Sequence, residues 1–445
     1  MNKILVLGAG KSSSSLIKYL LENSVHNKCQ VTVADQSILL AKQKVGKNKN
    51  GKAVALNIED EESRKKIIAE HDLVVSLLPP HYHLLAANDC LNENKNLVTA
   101  SYVSESMELL NDEVKRKGLI FMCEAGLDPG IDHMSAMQII NDLKSKKAKI
   151  ISFYSATGGL VSPESDDNPW HYKVTWIPRI VILAGQGAAQ FLENGKVKYI
   201  PYNRLFTETR ATRIPGFGRF ESYANRDSLS YISKYGLENT PNILRATFRR
   251  DGYCAGWNAL IKLGLTDDSY HLSGLNKMSY ADWVESYLPE KKKEKGVVLK
   301  WRVAKFLSVE KESKLMKQLD WLGLFSSEKI NLQHATPAQI LQQLIETKWK
   351  MKETDHDMIV MQHEFIYEEK EKRKTLQSTL IVKGENNIQT AMAKTVGLPL
   401  GIIVKLILQN KIKVHGVQIP VAQEVYVPVL NELKDFGIVF KEAIK

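Results

Sequence analysis

Cysteine is scarce in this 445-residue chain: Cys29, Cys90, Cys123 and Cys254 are the only four, and none stands at C-x-x-C spacing. That excludes a disulfide framework and a thiolate zinc site, and leaves four buried thiols as the expectation. No run of about 18 consecutive apolar residues occurs, and Met1 to Gly8 already reads as a strand. Neither a membrane span nor a leader is therefore expected, and the protein is expected in the cytoplasm. Net negative charge is also missing, the formal charge being +11. Lysine and arginine are nevertheless interleaved with glutamate and aspartate, most densely at 290–300 and 368–374. Such mixed runs read as solvated faces, not as a nucleic-acid surface. A basic field instead suits an anionic small substrate and a phosphorylated cofactor. At 50.3 kDa the chain has room for two or three domains, each with a core of its own.

What is present starts with K-I-L-V-L-G-A-G-K-S-S-S-S, an apolar strand running into glycines and then a helix. Gly8 permits the tight turn, and Gly10 lets backbone N–H groups approach a pyrophosphate at the positive end of the helix. Ser13 stands where the third glycine of G-x-G-x-x-G belongs and is small enough for close packing. Gly8, Gly10, Lys11, Ser12 and Ser13 are thus candidate cofactor residues. A second strand, 31–34, ends in Asp35, placed to meet the adenosine ribose. Its carboxylate accepts from ribose hydroxyls and repels a 2′-phosphate, which favours NAD over NADP, with Lys42 and Lys44 as opposing charges. Further strands are expected at 72–77, 97–100 and 119–122, alternating with helices, as in a Rossmann-type doubly wound parallel sheet. The ligand then lies at the strands' carboxyl ends, where Leu77, Leu78, Thr99, Ala100, Leu127 and Asp128 fall.

The densest chemistry is C-E-A-G-L-D-P-G-I-D-H-M at 123–134. Acids, a histidine and backbone-bending residues share one turn, a place for a cofactor's reactive end to meet a substrate. The same letters also suit a plain helix start before Ile131. Beyond it, a strand at 149–155 leads to S-A-T-G-G-L-V-S-P-E and N-P-W-H-Y-K-V-T-W, read as a substrate-facing loop or a Trp-rich sheet edge. In L-R-A-T-F-R-R, Arg245 and Arg249, or Thr247 and Arg249 on a strand, aim at one face, and arginine forks match carboxylates. Asp355, His356, Asp357 and His363 flank an apolar strand and are not read as a metal site. His81 and His83 follow a strand end and either line the cofactor cleft or, as the favoured reading, cap or face solvent, and Met351, Met358 and Met361 are expected in the core.

Together, S-Y at 101–102, G-L-D-P-G-I-D-H-M, G-G-L-x-x-P-E, N-P-W-x-Y-K, N-R-D-S and D-W-L-G-L-F resemble the glutamate-forming saccharopine dehydrogenases, also called saccharopine reductases. The resemblance runs over nearly the whole length. It implies NAD(P)-dependent interconversion of saccharopine with glutamate and 2-aminoadipate 6-semialdehyde. It places Ser101, Tyr102 and Asp128 at the amino acid, with Arg226, Thr247, Phe248 and Arg249 in its binding segment, and gives Asp128 and Tyr102 the proton chemistry. It also implies an α/β plan: a nucleotide domain at 1–130 completed by 388–445, an α+β substrate domain at 131–262 and 353–387, and a helical insertion at 263–352. Where that family has S-Y-C-G-G-L-P-A-P-E, this chain has Ala156, Thr157, Val161 and Ser162, so no role of that cysteine carries over. A homodimer is admitted. Two other readings stay open: reductive condensation on another amine, of the carboxylated-polyamine or opine type, and a noncatalytic nucleotide sensor.

Overall fold

The computed structural model describes residues 1–184, 186–289 and 298–445. They form two compact units, one of Met1–Ile151, Ser233–Glu238 and Met358–Lys445, the other of Ser152–Ile232 and Asn239–Asp357. The first unit is built on a parallel sheet containing β1 (Asn2–Leu7), β2 (Cys29–Asp35), β3 (Gly51–Ala55), β4 (Leu73–Ser76), β5 (Asn96–Thr99) and β6 (Ile120–Met122). Leu5, Val6, Leu7, Val74 and Val75 are fully buried, which is why these strands read as continuous apolar runs: helices cover both faces. The order is β6-β5-β4-β1-β2-β3, with the strand Gly416–Gln418 added in parallel outside β6. The chain leaves β1 in one direction and resumes at β4 in the other, so a switch point opens between those two strands. The expected doubly wound sheet completed by the C-terminus is therefore present. β3 was not expected, because G-K-A-V-A is short, half-exposed and without a hydrophobic run.

Helix Ala391–Leu408 is long and apolar enough, by length and composition, to cross a membrane, although Lys394, Thr395 and Lys405 interrupt the apolar run. Its window is 78% buried, as a core helix requires. It is one helix that runs through Pro399. Strands Asp357–Glu369 and Lys372–Lys383 form a long antiparallel hairpin extended by Phe440–Ile444. The charged stretch 368–374 spans its turn, where Lys370 and Glu371 take φ of 50° and 63°. Met358 and Met361 are buried, as are all four cysteines.

In the second unit, Ser152–Thr157 pairs in parallel with Asn242–Thr247, which is flanked antiparallel by Gly218–Ala224 and then Arg210–Ile214. Here the sequence reading is corrected: the strand does not stop at Ser155 but continues to Val161, so A-T-G-G-L-V is sheet and not loop. Gly158 is tolerated there because the neighbouring strand comes close; a Cβ on it would sit 2.7 Å from the Phe248 carbonyl oxygen. N-P-W-H-Y-K is no exposed loop either. Trp170 and Tyr172 are buried and pack edge-on against Trp349 at 5.3 and 5.2 Å. Nearby, Lys173 is buried against Asp355 at 2.7 Å and Asp167 at 2.9 Å. Helices Tyr280–Ser286, Leu299–Leu307, Lys314–Leu322 and Pro337–Lys348 occupy much of 263–352. The charged run read at 290–300 lies outside the described residues over 290–297.

Candidate functional site

At the end of β1, Gly8 takes φ 104° and lies against β4, where a Cβ would meet the Leu77 carbonyl oxygen at 3.0 Å. Gly10 has extended backbone, and open space surrounds the position its Cβ would take. The chain then enters a 3₁₀ turn, Lys11–Ser13, and helix Ser14–Glu22, neither begun by a side-chain cap. Uncapped N–H groups beside an open backbone fit the pyrophosphate of a dinucleotide. Ser13 is buried and closes its hydroxyl on the Gly10 carbonyl at 2.8 Å, so serine does the packing of the third glycine. Lys44 donates to the Ser14 hydroxyl, while Lys42 is exposed. Asp35 accepts from the Ala9 N–H at 2.7 Å and the Ser37 N–H at 2.8 Å. Its carboxylate thus braces the glycine turn and, among the described residues, has no cationic partner. Leu77, Leu78 and Ala100 are half-buried and Thr99 and Leu127 buried, all at or beyond the carboxyl ends of sheet strands.

Two other residues of this unit meet directly. The Tyr102 hydroxyl donates to the Asp128 carboxylate at 3.3 Å, and both side chains are half-buried. The turn carrying Asp128 has a cis Asp128–Pro129 bond and Gly130 at φ 148°. No side chain fits at 130: a Cβ would fall 2.0 Å from the Gly126 carbonyl oxygen. Asp132 accepts from the Gly130 N–H at 2.6 Å. Behind it, the fully buried His133 ring bridges Glu124 at 2.8 Å and the Tyr235 hydroxyl, while Glu124 also accepts from the Val103 N–H at 3.1 Å. The helix begins at Ile131, as the plain reading of these letters had it, but with Gly130 and not an acid as its cap.

In the second unit, Arg245, Thr247 and Arg249 alternate on one face of a strand, as the spacing suggested. Arg245 stacks over the Tyr231 ring at 4.4 Å. Arg249 is 4% exposed and lies among the rings of Tyr172, Tyr253 and Tyr223 at 5.2, 5.1 and 5.6 Å. One Nη donates to the Phe248 carbonyl at 2.9 Å, and Nε has no partner. Burial pushes the Tyr223 and Tyr253 phenols up, so neither is an anion beside it. Phe248 is fully buried against Phe220 at 5.8 Å, and its backbone is paired opposite Ser222 with its carbonyl accepting from Arg249. Arg226 is exposed at φ 45°, its carbonyl accepting from the Gln190 N–H.

Residues 4–122 match the domain described as saccharopine dehydrogenase NADP binding domain, and 126–438 the saccharopine dehydrogenase C-terminal domain. The chain belongs to the saccharopine dehydrogenase family. Saccharopine dehydrogenase [NADP(+), L-glutamate-forming] of Schizosaccharomyces pombe is 33% identical over 451 residues, covering 100% of this chain and 99% of that protein. Bovine mitochondrial α-aminoadipic semialdehyde synthase is 34% identical over 98% of the chain, which spans 47% of that longer protein. Among solved structures, apo saccharopine dehydrogenase (L-Glu forming) from Saccharomyces cerevisiae superposes with a TM-score of 0.88 at 30% identity, over 100% of both chains.

Against the saccharopine dehydrogenase sequence pattern, the departures Ala156 and Thr157 lie in register with Ala246 and Thr247. The Thr157 hydroxyl is buried without a hydrogen-bond partner. His83 departs from the favoured sequence reading. It neither caps nor faces solvent but is 5% exposed, between the Ser76 hydroxyl at 2.8 Å and the Ser101 hydroxyl at 2.7 Å. The signal available was a serine ending a strand and a histidine opening the next helix. His363, by contrast, is buried against Ser135, and Asp355 against Lys173, which accounts for both without a ligand.

Proposed function

We propose that this chain is a saccharopine dehydrogenase of the L-glutamate-forming type, interconverting saccharopine with L-glutamate and 2-aminoadipate 6-semialdehyde in lysine metabolism. The observation that carries the substrate side is Arg249, a buried guanidinium that makes no ion pair among the described residues, the carboxylate of its cross-strand neighbour Glu221 accepting instead from the Cys254 N–H. A buried cation of that kind calls for an anion from outside, and a multiply carboxylated amino acid supplies one. Thr247, Phe248, Arg226 and Ser101 complete the amino-acid contacts.

The nicotinamide supplies the hydride acceptor or donor. Before hydride leaves the carbon, the secondary amine must lose its proton, and Asp128 takes it, its carboxylate held by the Tyr102 hydroxyl. Water then adds to the imine carbon, and the carbinolamine collapses to aldehyde and glutamate as a proton returns to the leaving nitrogen. Asp128 returns that proton and Tyr102 hydrogen-bonds the carbinolamine oxygen. Gly8, Gly10, Lys11, Ser12 and Ser13 hold the pyrophosphate, Leu77, Leu78, Thr99, Ala100 and Leu127 line the cofactor's path, and Asp35 meets the ribose. With no cation paired to Asp35, NAD is preferred to NADP. A lower KM for NADPH than for NADH reverses that preference.

The domain assignment is 1–130 with 388–445 for the nucleotide, 131–262 with 353–387 for the amino acid, and 263–352 as a helical insertion. A cytoplasmic homodimer completes the reading, checked by light scattering and cell fractionation. The activity is tested by reduced-nicotinamide absorbance with saccharopine and NAD or NADP in parallel, with glutamate assayed as product. Cofactor reduction with equimolar glutamate is expected; absorbance change with a polyamine or another amine but not with saccharopine would move the substrate class.

A further inference from the structure

We infer that Ser76, His83 and Ser101 form a relay that fixes the Ser101 hydroxyl as a hydrogen-bond donor, so that Ser101 recognises a carboxylate of the substrate and not its amine. The inference rests on the reading that Ser101 faces the amino acid. Ser76, the last residue of β4, is fully buried, and among the described residues the His83 Nδ1 at 2.8 Å is the one hydrogen-bond partner of its hydroxyl. A buried hydroxyl has one proton to place, and here it has one acceptor. The Ser76 O–H therefore donates to Nδ1.

That choice propagates. Burial, with a smaller contribution from His81, holds His83 down at about 4, so near neutral pH the ring carries a single proton. With Nδ1 accepting, the proton sits on Nε2, which donates to the Ser101 hydroxyl at 2.7 Å. Ser101 accepts, and its own proton remains unspent. Ser101 is half-buried, held through its carbonyl by the Glu124 N–H at 3.0 Å, so that proton is available to a ligand. An oxygen bearing negative charge is its best acceptor. In the opposite tautomer Ser101 would spend its proton on the ring and offer only lone pairs, a match for an ammonium group. His83 is in this sense a positioning residue, acting through Ser101.

The test uses the full-length protein labelled with ¹⁵N-histidine, with His83 assigned by the signal lost in His83→Asn. The imidazole ¹⁵N shifts are expected to report the Nε2–H tautomer in wild type and a mixture in Ser76→Ala. In saccharopine kinetics, His83→Asn keeps an acceptor for Ser76 but cannot reach Ser101, and is expected to raise the saccharopine KM roughly tenfold with cofactor KM little changed. His83→Gln, whose amide can reach Ser101, is expected to raise it less, and Ser76→Ala to raise it although it touches no substrate. An Nδ1–H tautomer, or equal KM values for the Asn and Gln variants with Ser76→Ala silent, would overturn the relay. Should wild type fail to turn over saccharopine, the proposed function falls, and the tautomer still decides the direction of the relay.

Discussion

The turn around Asp128 and the surroundings of Arg249 treat buried polar groups in opposite ways. In the turn, Glu124, Asp132, His133 and Tyr235 are satisfied by one another and by backbone N–H groups of the same unit. Around Arg249 the chain supplies three aromatic rings and a carbonyl, spends the facing Glu221 carboxylate on the Cys254 N–H, and leaves Nε unpaired among the described residues. Buried polar groups are ordinarily paired, so a self-satisfied network reads as a scaffold and an unsatisfied cation as a place kept for a ligand. On the proposed function, one region holds the Asp128 carboxylate in position and the other receives the charge of the substrate.

Substitution can break each side of that contrast. Glu124→Ala removes the acceptor of both the Val103 N–H and the His133 ring, and is expected to cost about 2–5 kcal/mol of stability. Denaturant midpoints of wild type and variant measure it, and an unchanged midpoint would mean the network is not the scaffold. Asp128→Ala sits on the same turn but at a half-buried position. There the expectation is a turnover roughly 100-fold lower, with little change in midpoint, as for loss of a general acid–base group. Thr157→Ala should lower turnover far less, and equal losses would place the proton chemistry elsewhere. The smallest effect is expected for Thr157→Val, which removes a buried hydroxyl that has no partner. Stability should then hold or rise by up to about 1 kcal/mol, and a clear loss would mean that hydroxyl is bonded.

How much of this was legible in the letters follows from how local each cause is. The glycine turn could be read because Gly8 and the uncapped helix start are fixed by a dozen consecutive residues. The parallel sheet could be read because strands buried on both faces are apolar throughout. Residues 156–161 could not: Gly158 looks like a chain breaker and is instead demanded by the backbone of Phe248, a neighbour distant in sequence. The same holds for His83, whose partners are separated from it by 7 and 18 positions, and for Arg249, whose rings come from three other segments. Residue types pointed to the chemistry, while burial and pairing, which decide roles, depend on contacts that no spacing rule encodes.

Arg249 is where the contrast is most directly tested. Calorimetric titration of saccharopine into wild type and Arg249→Met, with thermal midpoints of both recorded without ligand, separates binding from folding. The expected result is affinity weakened by roughly tenfold or more in the variant with the midpoint unchanged or higher, because a buried charge without a protein counter-ion has been replaced by an apolar side chain. Equal affinity, or a variant that loses its fold, would show that the guanidinium serves the protein's own structure and not the substrate.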